Sequence, residues 1–351
     1  MNTKLLSLKY HYIHSEIVNQ HRKPMKVLFI GGTGNISTPS SRLALAKGID
    51  LFHLNRGSKK VEITGVKTII GDINKADSLA ELGKHEWDVV VNWIAFTPED
   101  IERDMGLFKG RTKQYIFIGS ASCYQTPLGY PVITESTPLC NNLWDYSSNK
   151  IKCEDRLMQA YREEGFPITI VRPSLTYDTV IPIAIGGFNE YTTADRILKG
   201  KEIIIHGDGT SLWTVTHADD FAKGFVGLLG LTQAIGHAFH ITSDEVLSWN
   251  MIYKILADSL GRAAKVVHIA SDFICMVEPS FTGTLLADKA ESVLFDNTKI
   301  KTFVPGFKAT IPFAEGIVRT MAWLREKEER RFINADTDAK IERILKRYQA
   351  L

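Results

Sequence analysis

The sequence has few cysteines and no long apolar run. Its four cysteines, among 351 residues, show no CxxC spacing and no paired framework, which is typical of reduced thiols in a cytosol. No stretch approaches the ~20 apolar residues that a membrane-spanning helix needs. Residues 1–24 lack the apolar core of a secretory signal. We therefore expect a cytoplasmic protein without a membrane segment, and we interpret residues 1–24 as an N-terminal extension.

The sequence also lacks a strong charge imbalance and a metal-ligand motif. The net charge is +2 with scattered Lys and Arg, so we expect no nucleic-acid partner and no anionic-membrane anchor. None of the ten histidines lies in HExxH or another ligand spacing, so we predict no metal site. The closest cluster is His217 to Asp220. There is no G-x-S-x-G elbow, which makes a hydrolase a poor candidate.

The first half of the chain alternates short, continuous apolar runs with helical patterns. The runs predict strands at 26–30, 50–54, 67–70, 88–94, 114–120 and 168–173, and the patterns predict helices at 38–48, 74–83, 98–109 and 144–164. Continuous apolar runs are typical of parallel strands buried on both faces. This βαβ rhythm predicts an α/β fold, a Rossmann-like doubly wound parallel sheet.

The rhythm loosens after about residue 178, where the chain becomes rich in Gly and Thr, with helices expected near 218–230, 248–260 and 311–326. The tail 335–351 reads as a helix capped by Asp336 or Thr337. We predict four regions: an extension at 1–24, an NAD(P)-binding domain at 25–178 to which later segments return, a mainly substrate-binding region at 179–325, and a helical tail at 326–351.

The segment FIGGTGNISTPSS, residues 29–41, has the pattern of a phosphate-binding loop between a strand and a helix. Gly31 permits a tight turn, Gly34 allows a pyrophosphate to approach the backbone, and the helix start supplies free N–H groups. Ser37 replaces the third glycine at a position that mainly serves helix packing. No P-loop lysine follows, which argues against a phosphate-transferring NTPase. A purely structural turn is the alternative.

Two further places test the dinucleotide hypothesis. Asp72, after the third predicted strand, suits an adenine amino group, although a capping role explains it equally well. The second strand ends at Asn55 and Arg56 with no acidic residue for a ribose 2′-hydroxyl. Arg56, helped by Lys59 or Lys60, suits a 2′-phosphate, which slightly favours NADP over NAD. Solvated surface charge is the alternative for Arg56.

Tyr146 and Lys150 lie four residues apart in the predicted helix 144–164 and share one face. The same face continues through Cys153 and Leu157, so it is mostly buried, and an unpaired ammonium there is costly. We expect the Lys150 charge to lower the pKa of Tyr146 from ~10, so that the phenol can exchange a proton with a substrate hydroxyl. Ser120, after the strand 114–120, could polarise the same oxygen.

Taken together, the chain resembles the extended short-chain dehydrogenase/reductases of the NAD-dependent epimerase/dehydratase family over roughly residues 25–325. The resemblance rests on GGTGNIS (31–37), GDI (71–73), GSASCY (119–124), YSSNK (146–150), VRPSLTY (171–177), GDGTSLWTVTHADD (207–220) and FDNTKI (295–300). It implies an acid/base role for Tyr146, ribose binding and tuning of Tyr146 for Lys150, and a hydrogen bond from Ser120 to the reacting oxygen.

The resemblance also implies a cofactor-binding surface, a substrate-binding surface and a homodimer, the assembly that relatives often form. The cofactor residues it implies are Gly31, Thr33, Gly34, Asn35, Ile36, Asn55, Arg56, Asp72, Ile73, Ala95, Lys150 and Pro173. The substrate residues it implies are Ser122, Tyr124, Ser174 and Trp213.

Several positions depart from the family pattern. Ala121 and Ser122 stand where dehydratases carry an Asp-Glu pair, which disfavours a sugar 4,6-dehydratase. Trp213 stands where epimerases hold the diphosphate with arginine, and Leu285 or a neighbour replaces a second such arginine. One lost charge-assisted phosphate contact weakens binding by roughly 1.5–3 kcal/mol, so a nucleotide-diphosphate sugar is in doubt unless Lys289 or Arg262 compensates.

From the resemblance we expect an NAD(P)-dependent, epimerase-type enzyme acting on a small carbohydrate or sugar-nucleotide substrate. It would remove hydride from a carbinol carbon while Tyr146 takes the hydroxyl proton. An NADP-dependent reductase or dehydrogenase of a carbonyl or sugar is the alternative within the family. A non-catalytic RNA-binding protein on the same scaffold, as in the plastid stem-loop-binding relatives, is the alternative of another class.

Overall fold

The structure is a computed structural model that describes residues 23–57 and 62–351. In chain order its strands are β1 (Lys26–Ile30), β2 (Asp50–Asn55), β3 (Lys67–Ile70), β4 (Val89–Asn92), β5 (Tyr115–Ile118), β6 (Val132–Ile133), β7 (Ile168–Pro173), β8 (Leu175–Tyr177), β9 (Glu202–His206), β10 (Leu212–Trp213), β11 (Val215–His217), β12 (Ala238–Ile241), β13 (Leu247–Ser248), β14 (Lys265–Ile269) and β15 (Leu294–Phe295).

The helices of the described residues connect and cover these strands. They are α1 (Ser37–Ala46), α2 (Ala76–Leu82), α3 (Pro98–Phe108), α4 (Asp145–Glu164), α5 (Thr192–Leu198), α6 (Ala218–Leu228), α7 (Trp249–Ser259), α8 (Ser271–Val277), α9 (Thr298–Phe303), α10 (Phe313–Glu326) and α11 (Ala335–Gln349). Among the described residues, no helix is long and apolar enough to cross a membrane.

Seven strands form one parallel sheet in the order β12-β7-β5-β4-β1-β2-β3. The α/β class predicted from the sequence is therefore confirmed, and the six predicted strands of this sheet are present with ends within two residues. The seventh strand, β12, was not predicted. It returns from the later part of the chain to pair with β7.

The sheet is buried on both faces, which explains its continuous apolar runs. Along β1, Val27 and Phe29 pack on one face with α1 and α6, whereas Leu28 and Ile30 pack on the other face with α3 and α4. All four side chains are fully buried. The alternation of side chains across the strand lets one apolar run serve two cores.

The connections place a crevice at the carboxyl end of β1. This strand lies between β2 and β4, so the chain leaves neighbouring strands toward opposite sides of the sheet. Ligands of open α/β sheets bind at such a switch point. The glycine loop lies directly there, between β1 and α1.

The later segments form a second, smaller core beside the sheet. It is built on short strand pairs, β8 with β11, β9 with β14, β10 with β13 and β6 with β15, and on α7 and α10, which pack together. Asp220, at the start of α6, is fully buried and accepts hydrogen bonds from the backbone N–H groups of Thr310 and Ile311 at 2.9 and 2.7 Å. It therefore orders the loop that leads into α10.

The cap of the last helix differs from the prediction. Neither Asp336 nor Thr337 caps α11. Instead the side-chain oxygen of Asn334 accepts from the backbone N–H groups of Asp336 and Thr337 at 3.1 and 3.5 Å. The extended backbone of Asn334 aims its amide oxygen at the first free N–H groups of the helix, which is the usual arrangement of an asparagine cap.

Candidate active site

The glycine loop makes a close backbone turn that only glycine tolerates. Gly31 has φ of +87°, and a Cβ at this position would lie 2.7 Å from Ile94 Cγ2. A side chain here would be strained and would also clash. The loop thereby leaves its backbone open toward the crevice, as a phosphate group would require.

Ser37 does more than pack in place of the third glycine. Its hydroxyl oxygen accepts a hydrogen bond from the backbone N–H of Gly34 at 2.8 Å. Ser41, one turn later, donates its hydroxyl to the Ser37 carbonyl at 2.8 Å and pairs with the buried His53 at 2.9 Å. The serine therefore closes the loop onto the first turn of α1.

Asn35 ties the glycine loop to the second core. Its side-chain N–H donates to the Thr176 carbonyl at 2.9 Å, and its oxygen accepts from the backbone N–H groups of Asp178 and Thr179 at 2.9 and 3.1 Å. The amide side chain is thus used within the protein. Asn35 fixes the distance between the loop and the chain that follows β8.

A cleft of about 650 Å³ runs from the glycine loop along the strand ends. Of the predicted cofactor residues, those on its lining are Gly31, Thr33, Gly34, Asn35, Ile36, Asn55, Arg56, Asp72, Ile73, Lys150 and Pro173. Ala95 is different, because it is fully buried and contributes its carbonyl to Lys150 rather than a surface to the cleft. Its predicted direct contact with a cofactor is corrected to this supporting role.

The two ends of the predicted adenosine site differ in character. Asp72 lines the cleft and accepts a hydrogen bond from the backbone N–H of Asn74 at 3.0 Å. This bond closes a local turn and is not a helix cap, because α2 begins at Ala76 without a side-chain cap. Arg56 is exposed at the cleft mouth. Lys59 and Lys60, predicted to help Arg56, lie outside the described residues.

Two backbone carbonyls bind the ammonium of Lys150 at the lining of the first cleft. Its side chain is buried, and its ammonium donates to the carbonyl oxygens of Ala95 and Ile118 at 2.7 Å each. The ring of Phe96 lies 4.4 Å from the nitrogen, a favourable cation–π distance. Burial nonetheless lowers the pKa of Lys150 to about 8.

Tyr146 does not have the lowered pKa that the sequence predicts. Burial raises the pKa of Tyr146 to about 12, whereas the hydrogen bond with Ser120 acts in the opposite direction. The ammonium of Lys150 lies 5.9 Å from the centre of the Tyr146 ring and is engaged by two carbonyls. The prediction that the pKa of Tyr146 is lowered was therefore wrong, because the desolvation of the phenolate outweighs these interactions.

A chain of three serine hydroxyls leads to Tyr146. Ser147 donates to the Ser122 hydroxyl at 2.7 Å, Ser122 lies 2.8 Å from the Ser120 hydroxyl, and Ser120 bonds to the phenol. With Ser147 donating into the chain, each hydroxyl can donate to the next. When Ser122 donates to Ser120, the Ser120 proton is free to point toward the oxygen of Tyr146 or of a bound substrate.

A second cleft, of about 410 Å³, joins the first at Tyr146, Pro173 and Phe188. Three of the four predicted substrate residues line it: Ser122, Ser174 and Trp213. The fourth, Tyr124, is buried and does not line the cleft. Its hydroxyl bonds to His240 and Arg172, each at 3.1 Å, so the prediction is corrected and Tyr124 is a core residue.

The sequence did not identify several residues of the second cleft. Trp144 and Phe188 form aromatic walls, and Asp288 with Lys289 forms an ion pair on its lining. Trp144 directly precedes the helix of Tyr146, a position that could have indicated it. Of the basic residues that were proposed to compensate for the missing arginines, Lys289 lies on the cleft lining and Arg262 is exposed elsewhere.

The chain is similar to a known family and to characterised proteins. The model of the NAD dependent epimerase/dehydratase family matches residues 106–241. A probable GDP-L-fucose synthase 1 of Oryza sativa subsp. japonica is 24% identical over 238 residues, which cover 64% of this chain and 66% of that protein. A chloroplast stem-loop binding protein of 41 kDa b of Arabidopsis thaliana is 23% identical over 262 residues, 69% of this chain and 65% of that protein.

The fold also matches solved structures of low identity. The UDP-glucose 4-epimerase of Bifidobacterium longum, determined in complex with NAD+ and UDP, has a TM-score of 0.69 at 18% identity and covers 88% of this chain and 100% of its own. Among curated relatives such as the rice protein and a dTDP-glucose 4,6-dehydratase of Streptomyces antibioticus, the match spans 66% and 52% of the relative's length.

Proposed function

We propose that the chain is an NAD(P)-dependent, epimerase-type enzyme of the NAD-dependent epimerase/dehydratase family, whose model matches residues 106–241, and that it acts on a carbohydrate-like substrate. One observation carries this proposal. Ser120, Tyr146 and Lys150 come together where the cleft of the glycine loop meets the second cleft. The phenol of Tyr146, which can exchange a proton, then lies between the first cleft, proposed for the cofactor, and the second cleft, proposed for the substrate.

The residues of the first cleft fit a nicotinamide dinucleotide. At Gly31 the backbone of the loop can approach a ligand closely, because there is no Cβ in the way. The N-terminus of α1 lines the same cleft at Ser37, and the free N–H groups of a helix start suit a pyrophosphate. When bound, NAD(P) accepts and returns hydride. Pro173 and Lys150 would lie beside its nicotinamide end, while Asp72 and Arg56 would lie at its adenosine end.

The protein's own groups handle the proton of the substrate hydroxyl. Tyr146, with its pKa near 12, is a neutral phenol at neutral pH and is ready to protonate an alkoxide. In the opposite direction Tyr146 acts from its phenolate form, which takes the proton of the substrate hydroxyl and becomes the phenol, and a hydrogen bond donated by Ser120 stabilises that phenolate. In the epimerase version, the keto intermediate turns over and is reduced on its other face. In the reductase version, the two half-reactions use separate substrates.

Mass spectrometry of small molecules released from the purified, denatured protein tests the cofactor directly. We expect NAD or NADP in the extract, because the cleft along the glycine loop has a volume of about 650 Å³, within the usual range for a small-molecule site. If the extract holds neither, NAD and NADP are titrated into the protein by calorimetry. Absence of the cofactors from the extract, together with a failure of both to bind, would contradict the proposed function.

For the finer choice of cofactor we propose a preference for NADP, supported by Arg56 at the cleft mouth and by the lack of an acidic residue at the end of β2. Arg56→Ala should weaken NADP binding by about tenfold, the loss of one charge-assisted phosphate contact, with little change for NAD. Calorimetric titration of both cofactors measures this, with Arg111→Ala, outside the cleft lining, as control. Equal losses for NAD and NADP would exclude contact with a 2′-phosphate.

A stem-loop-binding function is the second candidate, and the similarity to the Arabidopsis protein favours it. The intact Ser120–Tyr146–Lys150 arrangement argues against a purely binding role. Cofactor-dependent turnover that requires the Tyr146 hydroxyl separates the two, since binding RNA would not need a phenol at this place.

We further propose a cytoplasmic location, supported by four unpaired cysteines, because disulfides are rare in that compartment. The homodimer stays a prediction.

A further inference from the structure

The described lining of the second cleft carries no net charge. Its charged residues there are Asp288 and Lys289, whose carboxylate and ammonium form a direct ion pair. Their side chains are only 15% and 11% exposed. Lys289 also lies 5.9 Å from the ring centre of Trp213. The one basic group on the described lining is thus already paired with an acid.

The ion pair is held in place from two sides. Asp288 and Lys289 lie in a wide, π-helical turn, Leu285–Lys289. The amide of the buried Asn141 donates to the Ala287 carbonyl in this turn and to the Ser122 carbonyl, both at 2.7 Å. The His206 ring bonds to the Lys289 carbonyl at 2.9 Å. Asn141 therefore couples the position of the ion pair to the serine loop beside Tyr146.

The remaining walls are aromatic and hydroxyl-bearing. Trp144, Trp213 and Phe188 offer apolar faces, and Ser122 and Thr284 offer hydroxyl groups. An aromatic face packs against the C–H groups of a sugar ring. The Asp288 carboxylate, having given one acceptor site to Lys289, retains others for substrate hydroxyls. The cleft volume of about 410 Å³ is near the lower end of the range of small-molecule pockets, about 300–1,000 Å³.

We propose that this cleft binds a free, uncharged sugar or polyol, whose hydroxyls are bound by Asp288, and not a nucleoside diphosphate sugar. A diphosphate needs cations that can leave their partners, because its charge is stabilised by charge-assisted hydrogen bonds. Here Asp288 satisfies the Lys289 ammonium and repels a phosphate. The inference rests on the proposed function, since it identifies the substrate class of the same site.

The test compares the NAD-loaded wild type with the NAD-loaded Asp288→Asn variant. The variant should bind a nucleoside diphosphate sugar more tightly and a free sugar more weakly. UDP-glucose, titrated by calorimetry, should bind the wild type with Kd above ~1 mM and the variant at least tenfold more tightly, because Lys289 is released. A mixture of D-glucose, D-galactose, D-mannose and D-xylose should quench the tryptophan fluorescence of the wild type, and the variant should need at least tenfold more sugar.

Asp258→Asn is the matched control, because Asp258 also pairs with a lysine, Lys254, but on the exposed surface of α7. It should leave both titrations unchanged. Adding Lys289→Met to Asp288→Asn should cancel the gain for UDP-glucose. Circular dichroism and NAD binding establish that the variants are folded.

Three results would each overturn the inference: wild-type protein that binds UDP-glucose with Kd below ~1 mM, an Asp288→Asn variant that gains no affinity for it, or a wild type whose fluorescence no sugar of the mixture changes. Each probe reports binding and not hydride transfer, so the substrate class can fail while hydride transfer through Tyr146 stands. Conversely, protein that neither binds NAD(P) nor transfers hydride removes the proposed function without reference to UDP-glucose.

Discussion

Replacing Tyr146 by Phe should reduce cofactor-dependent turnover by about 10²–10⁴-fold, the usual contribution of a positioned acid/base group. The change removes one oxygen and leaves the ring, which contacts Phe96 and Trp144, so the site should keep its shape. Cofactor affinity should stay close to that of the wild type, because the cradle at Gly31 and the anchors of Lys150 are untouched. The fluorescence of reduced nicotinamide, formed with the substrate recovered from the protein extract, measures the effect.

Tyr161 provides a matched control for this variant. It lies on the same helix, α4, but its side chain is 37% exposed and packs near Gly236, far from both clefts. Tyr161→Phe should therefore turn over like the wild type. If Tyr146→Phe also kept wild-type turnover, Tyr146 would not be the acid/base group, and the catalytic proposal would lose its central residue.

Replacing Glu154 by Ala should lower the free energy of unfolding by about 3–5 kcal/mol, the range for breaking a buried ion pair. Glu154, on α4 one turn beyond Lys150, accepts from Arg172 of β7 at 2.6 Å, and both side chains are almost fully buried. The pKa of Arg172 is raised by this carboxylate against the effect of its burial. Removing the acid leaves a buried, unpaired guanidinium. The midpoint of urea unfolding measures the loss.

Two comparisons show whether the cost comes from the buried charge. The double variant Arg172→Met with Glu154→Leu should be less destabilised than Glu154→Ala, since it leaves no charge unpaired. Glu102→Ala removes an exposed ion pair with Arg156 on the surface of the same helix and should cost at most about 1 kcal/mol. A Glu154→Ala protein as stable as the wild type would show that the pair does not hold α4 against β7.

Local patterns were sufficient for most of the sheet. Continuous apolar runs and the spacing of glycines depend on neighbouring residues, so the strands β1 to β5 and β7, the glycine loop and the helix of Tyr146 could be predicted. The strand β12 could not, because it pairs with β7 only after some 65 residues of chain, as Ala238 opposite Ile170 illustrates. The four residues of β12 contain no sequence pattern that would indicate pairing with β7.

The sequence by itself determined the order of six strands of the main sheet and of the helices between them, the tight turn at Gly31 and the shared helix face of Tyr146 and Lys150, because each follows from local spacing along the chain. The tertiary structure alone decided the electrostatics. The pKa of Tyr146 depends on how deeply the phenol is buried, and the two carbonyls that hold Lys150 come from residues 55 and 32 positions away. Asp288 and Lys289 likewise line the second cleft only because the folded chain brings their turn, Leu285–Lys289, beside residues that are distant in sequence, such as Asn141. Desolvation and long-range contact are properties of the packed molecule, and no local pattern records them.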